Sequence, residues 1–273
     1  GLYIAGTTVG GLASRVVPGV VADVGGWRVG MGAVGVLGLV CVVAFRLLLP
    51  PPTARPDGAA GGRGYLAHHL RDPGVRRLCA SAFVLMAAFV TVYNFLGYRL
   101  LEEPFGLSPL LVGLVFVTYL AGTTSSPVAG RLGDRFGRRA VLLAGVLLAL
   151  AAAALTLVEV LAAVLAGLVL FTVGFFVAHT SASGMVGGRA RVGGAQASAL
   201  YLLAYYAGSS LGGWIGGFAY EGGGWPAVVG YVAGLLAAAL VTALLLLRTP
   251  PLAPTVSRGR PRRRRRSRAS PGS

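Results

Sequence analysis

The stretch Gly130-Arg131-Leu132-Gly133-Asp134-Arg135-Phe136-Gly137-Arg138-Arg139 decides how the rest of the chain is read. It packs four arginines and one aspartate into a glycine-rich segment, with an apolar run on either side: Ser108 to Ala129 before it, Ala140 to Val158 after it. Each run is about the 20 residues that a helix needs to cross the hydrocarbon core of a bilayer. A charged segment between two such runs reads as a tight loop at a membrane surface, joining two antiparallel spans. Gly130, Gly133 and Gly137 let the backbone bend and let helix ends approach closely. Asp134 is placed either to pair with a neighbouring arginine or to cap the next helix. The arginines favour the cytoplasmic side.

The pattern G-x-L-x-D-R-x-G-R-R, set by Gly130, Leu132, Asp134, Arg135, Gly137, Arg138 and Arg139, resembles the signature loop of the major facilitator superfamily of secondary transporters. In that family the motif lies between the second and third helices of each six-helix half. The resemblance implies an all-α integral membrane protein, a helical bundle of that family's type. It also implies that Gly130, Asp134, Arg135, Gly137, Arg138 and Arg139 form a conformational switch, which brackets helices on the cytoplasmic side and balances inward-open against outward-open states.

Composition agrees with a membrane protein. Of 273 residues 55% are hydrophobic and 12% charged, against about 25% charged in soluble domains. All 24 basic residues are arginine, and the net charge is +16. Such a charge raises nucleic acid as a partner, but its placement in loops and the lack of interleaved aromatics argue against it. Cys41 and Cys79 supply neither a disulfide framework nor a metal cluster. No nucleophile–base pair, metal cluster or phosphate-binding loop stands at useful spacing, so the reading is not an enzyme, with no cofactor and no metal.

Eight apolar spans follow from the pattern: 2–22, 29–49, 78–98, 108–129, 140–158, 161–182, 195–218 and 225–247. Pro50, Pro51 and Pro52 end the second. Residues 50–77 form a polar linker, either plain and disordered or with a short amphipathic helix near Tyr65 to Leu70 on the membrane surface. The linker, the signature segment, the loop with Arg189 and Arg191, and the tail hold 20 of the 24 arginines. With eight spans these four segments share one side, which places the C-terminal tail in the cytoplasm of a multi-pass plasma-membrane protein. Trp27, Trp214 and Trp225 lie near outer span ends, as an interfacial belt would.

In the resembled family the second signature loop lies between helices eight and nine of twelve. Counting back, the spans correspond to helices five to twelve. Residues 1–49 are then the last two helices of an N-terminal half, 50–77 the cytoplasmic linker, 78–248 a six-helix C-terminal half, and 249–273 a disordered arginine-rich tail drawn to anionic lipid. The chain opens inside an apolar run at Gly1, which reads as lacking helices one to four. The first span is similar to the fifth-helix motif of the family's drug–proton antiporters, departing from it at Arg15. The segments 125–127, 178–183 and 201–210 look like the YnfM-like bacterial branch.

Polar groups within spans are costly and are therefore the candidate solute contacts. Arg15 lies mid-span with no carboxylate on its helix, placed for an anionic solute or an acid elsewhere. Tyr93 and Asn94, then Thr118 and Tyr119, offer stacking surface and hydrogen bonds to a cavity. Tyr201 and Tyr205 are four apart and share a face. His179 is the one histidine within a span, read either as a packed hydrogen-bonding residue or as a proton relay. The function that follows is secondary transport of a small solute, directed outward as efflux, with protons as coupling ion by resemblance only. The competing reading is a non-transporting membrane protein or a degenerate fragment.

Overall fold

A computed structural model describes residues 10, 21, 25–48, 62–190 and 193–249. The first expected span, with Arg15, the proline-rich start of the linker, and the tail beyond Thr249 lie outside the described residues. What is described is helical: α1 Trp27–Leu48, α2 Gly62–Arg71, α3 Pro73–Leu101, α4 Pro109–Val115, α5 Tyr119–Phe136, α6 Arg138–Leu155, α7 Leu161–Arg189 and α8 Gly194–Leu247. A 3-10 turn, Phe116–Thr118, joins α4 to α5, so that the two form one path.

Among the described residues six helical stretches are long and apolar enough to cross a membrane, and α8 is one of them. At 54 residues α8 would run about 80 Å at 1.5 Å per residue, far beyond a hydrocarbon core of about 30 Å. The backbone therefore breaks at Gly224, where φ is +59°. Only glycine enters that region freely, and Pro226 follows in the first turn of the next limb, where a missing N–H costs nothing. The break divides α8 into limbs 194–222 and 225–247, the two last spans expected from sequence.

Three helices extend beyond their expected ends. The segment 130–136 is helical, and the chain reverses at Gly137 alone, with φ +87°. The loop expected over ten residues is thus a one-residue corner. Helix α3 starts at Pro73 rather than Leu78, because Asp72 caps it: its Oδ1 accepts from the Gly74 N–H at 2.6 Å and the Val75 N–H at 3.4 Å. Helix α7 runs on to Arg189, through glycines that had suggested a loop.

Close packing is set by small residues. Gly208, Gly212 and Gly216 stand four apart on the first limb of α8 and meet α3. A Cβ on Gly208 would overlap the Phe83 carbonyl, and one on Gly212 the Ala87 methyl. A Cβ on Gly216 would lie 2.6 Å from Thr91 Cγ2. Gly145 of α6 and Gly174 of α7 make the matching approach on the other side, where a Cβ would come within 2.7 Å of the Ala178 nitrogen or 2.6 Å of the Ala149 nitrogen. Such contacts let helices associate without a hydrophobic drive from water. Some large apolar side chains, among them Leu114, Leu120, Leu203 and Val241, face outward instead. Helix α1 stands apart from this bundle, with Gly30 its one buried residue.

Candidate functional site

Helix spacing brings most of the sequence-predicted residues into one file of rings. Phe89 and Tyr93 are four apart on α3, as are Phe171 and Phe175 on α7. Phe89 stacks on Phe175 with centroids 4.0 Å apart, and Tyr93 lies 4.5 Å from Tyr119. From Phe175 the file continues to His179, whose ring is parallel to it at 5.6 Å, and on to Tyr205 at 4.8 Å. Offset and tilted rings at these distances are favourable beyond their burial. Tyr93, Tyr119, His179, Tyr201 and Tyr205 therefore belong to one constellation, drawn from four helices.

The polar tips are placed as deliberately as the rings. The Tyr93 hydroxyl lies 2.7 Å from Thr118 Oγ1 and 2.6 Å from Thr172 Oγ1. Both threonines also reach a carbonyl of their own helix, Val115 at 2.7 Å and Leu168 at 2.8 Å. The Tyr201 hydroxyl lies 3.0 Å from His179 Nδ1. Asn94 does not join them. It is exposed, on a different face of α3, with its amide 3.3 Å from where a Cβ on Gly213 would stand. A step of one residue turns about 100° around a helix, so Tyr93 and Asn94 cannot address one point.

The signature arginines hold helix ends. Arg138 pairs with Asp134 at 3.3 Å across the Gly137 corner, and its guanidinium fills the space over Gly184 of α7 that a Cβ would need. Arg139 donates to the Leu247 carbonyl at 3.2 Å, and Arg77 of α3 to the Leu245 carbonyl at 3.1 Å. Both thereby satisfy open carbonyls at the end of α8. Of Asp134's two expected roles, pairing is the one seen, and no side chain caps α6.

Beside this corner lies a clasp that sequence reasoning missed. Arg189 Nε donates to both carboxylate oxygens of Asp72, at 2.9 and 3.0 Å. His69 of α2, 2% exposed, donates from Nε2 to the Gly193 carbonyl at 3.0 Å. Partial burial works to raise the Asp72 pKa, but the Arg189 bond, the Gly74 N–H and the Arg189 charge outweigh it and leave the group below its ordinary 3.8. A carboxylate with a lowered folded pKa stabilises above its unfolded value, and that stability is lost as pH falls through the folded one. Asp72→Asn should therefore lower stability at neutral pH by about 1.5–3 kcal/mol. Thermal unfolding at pH 7 and below pH 3.8 checks this, since wild type and variant should converge in acid.

The opposite end carries a second device. Arg99, 9% exposed, donates to the carbonyls of Thr156, Leu157 and Val158 beyond α6. Its guanidinium lies over the rings of Phe105 and Trp225, and Trp225 Nε1 donates to the Thr156 carbonyl at 3.1 Å. Among the described residues no group of three or more His, Cys, Asp or Glu could hold a metal.

Comparison with known proteins agrees with this architecture. Residues 78–271 match the family model described as Major Facilitator Superfamily. The chain is 39% identical over 254 residues to "Inner membrane transport protein YnfM" of Escherichia coli (strain K12), covering 91% of this chain and 60% of that protein. It is 38% identical over 245 residues to "Uncharacterized MFS-type transporter YybF" of Bacillus subtilis (strain 168), covering 88% and 60%. An "Uncharacterized transporter" of Buchnera aphidicola subsp. Schizaphis graminum is 32% identical over 249 residues, covering 90% and 60%. The chain spans about 60% of the length of these relatives.

Proposed function

The chain belongs to the Major Facilitator Superfamily, and from that premise we propose that it is the solute-handling back part of a secondary transporter that exports a small solute by alternating access. The observation that carries the proposal is the single file of rings and hydroxyls from Tyr93 to Tyr205, contributed by four different helices. In alternating access two halves rock around a site near the bilayer midplane. Such rocking needs each half to move as a body. The capped ends of α8 and α6 and the glycine seams support that behaviour for residues 73–249.

In this reading residues 50–77 join the two halves, the described apolar helices are the last of twelve, and the arginine-rich end faces the cytoplasm. The tail hugs anionic lipid there. On the same reading export is coupled to protons, and the acids of this chain all lie in the linker or near the ends of its apolar runs. The signature corner sets the balance between the two open states: Arg138 and Arg139 tie the α5–α6 corner to α7 and α8, and Asp134 orients Arg138.

The test is flux in vesicles reconstituted with the full-length protein, loaded with a panel of labelled small solutes. Wild type should carry at least one, and Asp134→Asn should lower that flux about tenfold while insertion and yield stay unchanged. An exposed ion pair is worth only about 0.2–1 kcal/mol to the fold, so a loss of flux would report switching rather than unfolding. Equal flux in a well-inserted variant overturns the switch role. No flux for any solute favours a non-transporting membrane protein.

A further inference from the structure

His179 is the polar centre of the ring file, and its two nitrogens have different fates. The Tyr201 hydroxyl faces Nδ1 at 3.0 Å and the His179 main-chain carbonyl at 3.4 Å. A phenol has one proton to give. Given to the nearer imidazole nitrogen rather than to the carbonyl, which the helix ladder also uses, it leaves Nδ1 without a proton of its own. Nδ1 is then the acceptor, and the imidazole proton sits on Nε2.

Nε2 has no hydrogen-bond partner among the described residues. Nor is it sealed in the core: among those residues Thr123 Oγ1 alone combines complete burial with lack of a partner. His179 is half-buried, so Nε2–H reaches the surface of the bundle. A bare N–H donor facing lipid tails is costly, and such groups face a cavity or the bundle interior. Aromatic surface surrounds this one. Phe175 stacks beneath the imidazole, Tyr205 lies beside it, and Tyr206, 62% exposed, packs edge-on against Tyr205 at 5.2 Å. No ion pair reaches His179 among the described residues.

We propose that the Nε2–H of His179 holds a planar solute through an acceptor oxygen, a carbonyl or carboxylate, against Tyr205 and Tyr206, and that Tyr201 is the positioning residue that sets this donor. The proposal rests on the transporter reading for the word solute, but the donor and its tautomer do not. A planar ammonium compound fits poorly, because the site offers it a donor and no carboxylate.

The test uses the full-length protein in lipid vesicles with 15N-labelled histidine, His179 being assigned by the signal lost in His179→Gln. Wild type should show the proton on Nε2, and Tyr201→Phe should give a mixture of tautomers. A proton on Nδ1 in wild type, or an unchanged signal in Tyr201→Phe, overturns the positioning role. Benzamide and benzoate should move the His179 signal, while benzylammonium should not, and His179→Gln should bind benzamide about tenfold more weakly, the loss of one hydrogen bond. Equal response to all three probes, or to none, overturns the donor assignment. Expected probe responses without flux of any solute would leave the donor standing and remove the transporter reading instead.

Discussion

Replacing Gly208 by leucine should abolish a stably folded bundle, whereas replacing Gly234 by leucine should leave it intact. The two glycines lie on the same long helix, and sequence alone does not separate them. A side chain at 208 has nowhere to go, because a Cβ there would overlap the Phe83 carbonyl, which is backbone and cannot rotate aside. Gly212 and Gly216 repeat the constraint at four-residue intervals, so α3 and α8 cannot part at one point without parting along the seam. Overpacking costs typically about 1–3 kcal/mol in a core that can adjust. Here the obstruction is main chain along two rigid helices, so the loss should reach at least the top of that range. At Gly234 nothing lies within 4 Å of the added Cβ. Loss of a helical glycine should then stabilise slightly, by about 0.5–1 kcal/mol. The check is the temperature at which detergent-solubilised protein loses its monodisperse size-exclusion peak. Gly208→Leu should give no such peak, and Gly234→Leu should match wild type or exceed it. Similar behaviour of the two variants would mean that the α3–α8 seam does not hold the bundle.

What the sequence revealed about this seam, and what it concealed, follows from how each signal arises. Apolar runs separated by charge are a property of consecutive residues, so the spans from Val29 onward were readable, and the signature segment marked its corner. The size of that corner was not readable, because a helix tolerates the glycines at 130 and 133 as long as one residue, Gly137, makes the turn. Asp72 and Pro73 spelled a helix start in the ordinary way, a capping carboxylate followed by proline. Arg76 and Arg77 obscured it, since charge there suggested a linker. In the structure Arg77 reaches the end of α8, 168 residues later. Such pairings lie outside any local window.

The candidate site divides along the same line. Tyr201 and Tyr205 were grouped correctly by their spacing, and the same rule applied to Phe171, Phe175 and His179 would have found the ring file. The same rule also separates Tyr93 from Asn94, which adjacency in sequence had joined. That Tyr201 faces His179 was not legible, because the contact depends on how α7 and the first limb of α8 are rotated about their axes. The glycine seam and the neighbouring small residues fix that rotation, and sequence pattern shows only that it is permitted.

Arg99 should prove the most costly charged residue to remove. In the sequence it follows the third apolar run, outside the arginine-rich segments. In the structure it is buried and feeds three successive carbonyls past the end of α6, with Trp225 donating to the first of them. These are acceptors that the helix itself cannot satisfy, and near a membrane they find little water to replace the lost donor. Arg99→Met keeps length and apolar packing but leaves the carbonyls open. Unsatisfied buried acceptors cost about 1–3 kcal/mol each, so the variant should lose several kcal/mol, equivalent to an unfolding midpoint lower by about 10 °C. Arg99→Lys is the sharper comparison. Lysine keeps the charge but is a point donor without the planar fork, and it cannot span Thr156 to Val158 while lying over two rings. If charge alone mattered, lysine would restore the midpoint. If forked capping matters, lysine should recover less than half of the loss, and Trp225→Phe, which removes only the indole donor, should lower the midpoint by a smaller step on its own. Full rescue by lysine would show that Arg99 acts as a charge near Glu159 rather than as the cap that ties α3 to α6.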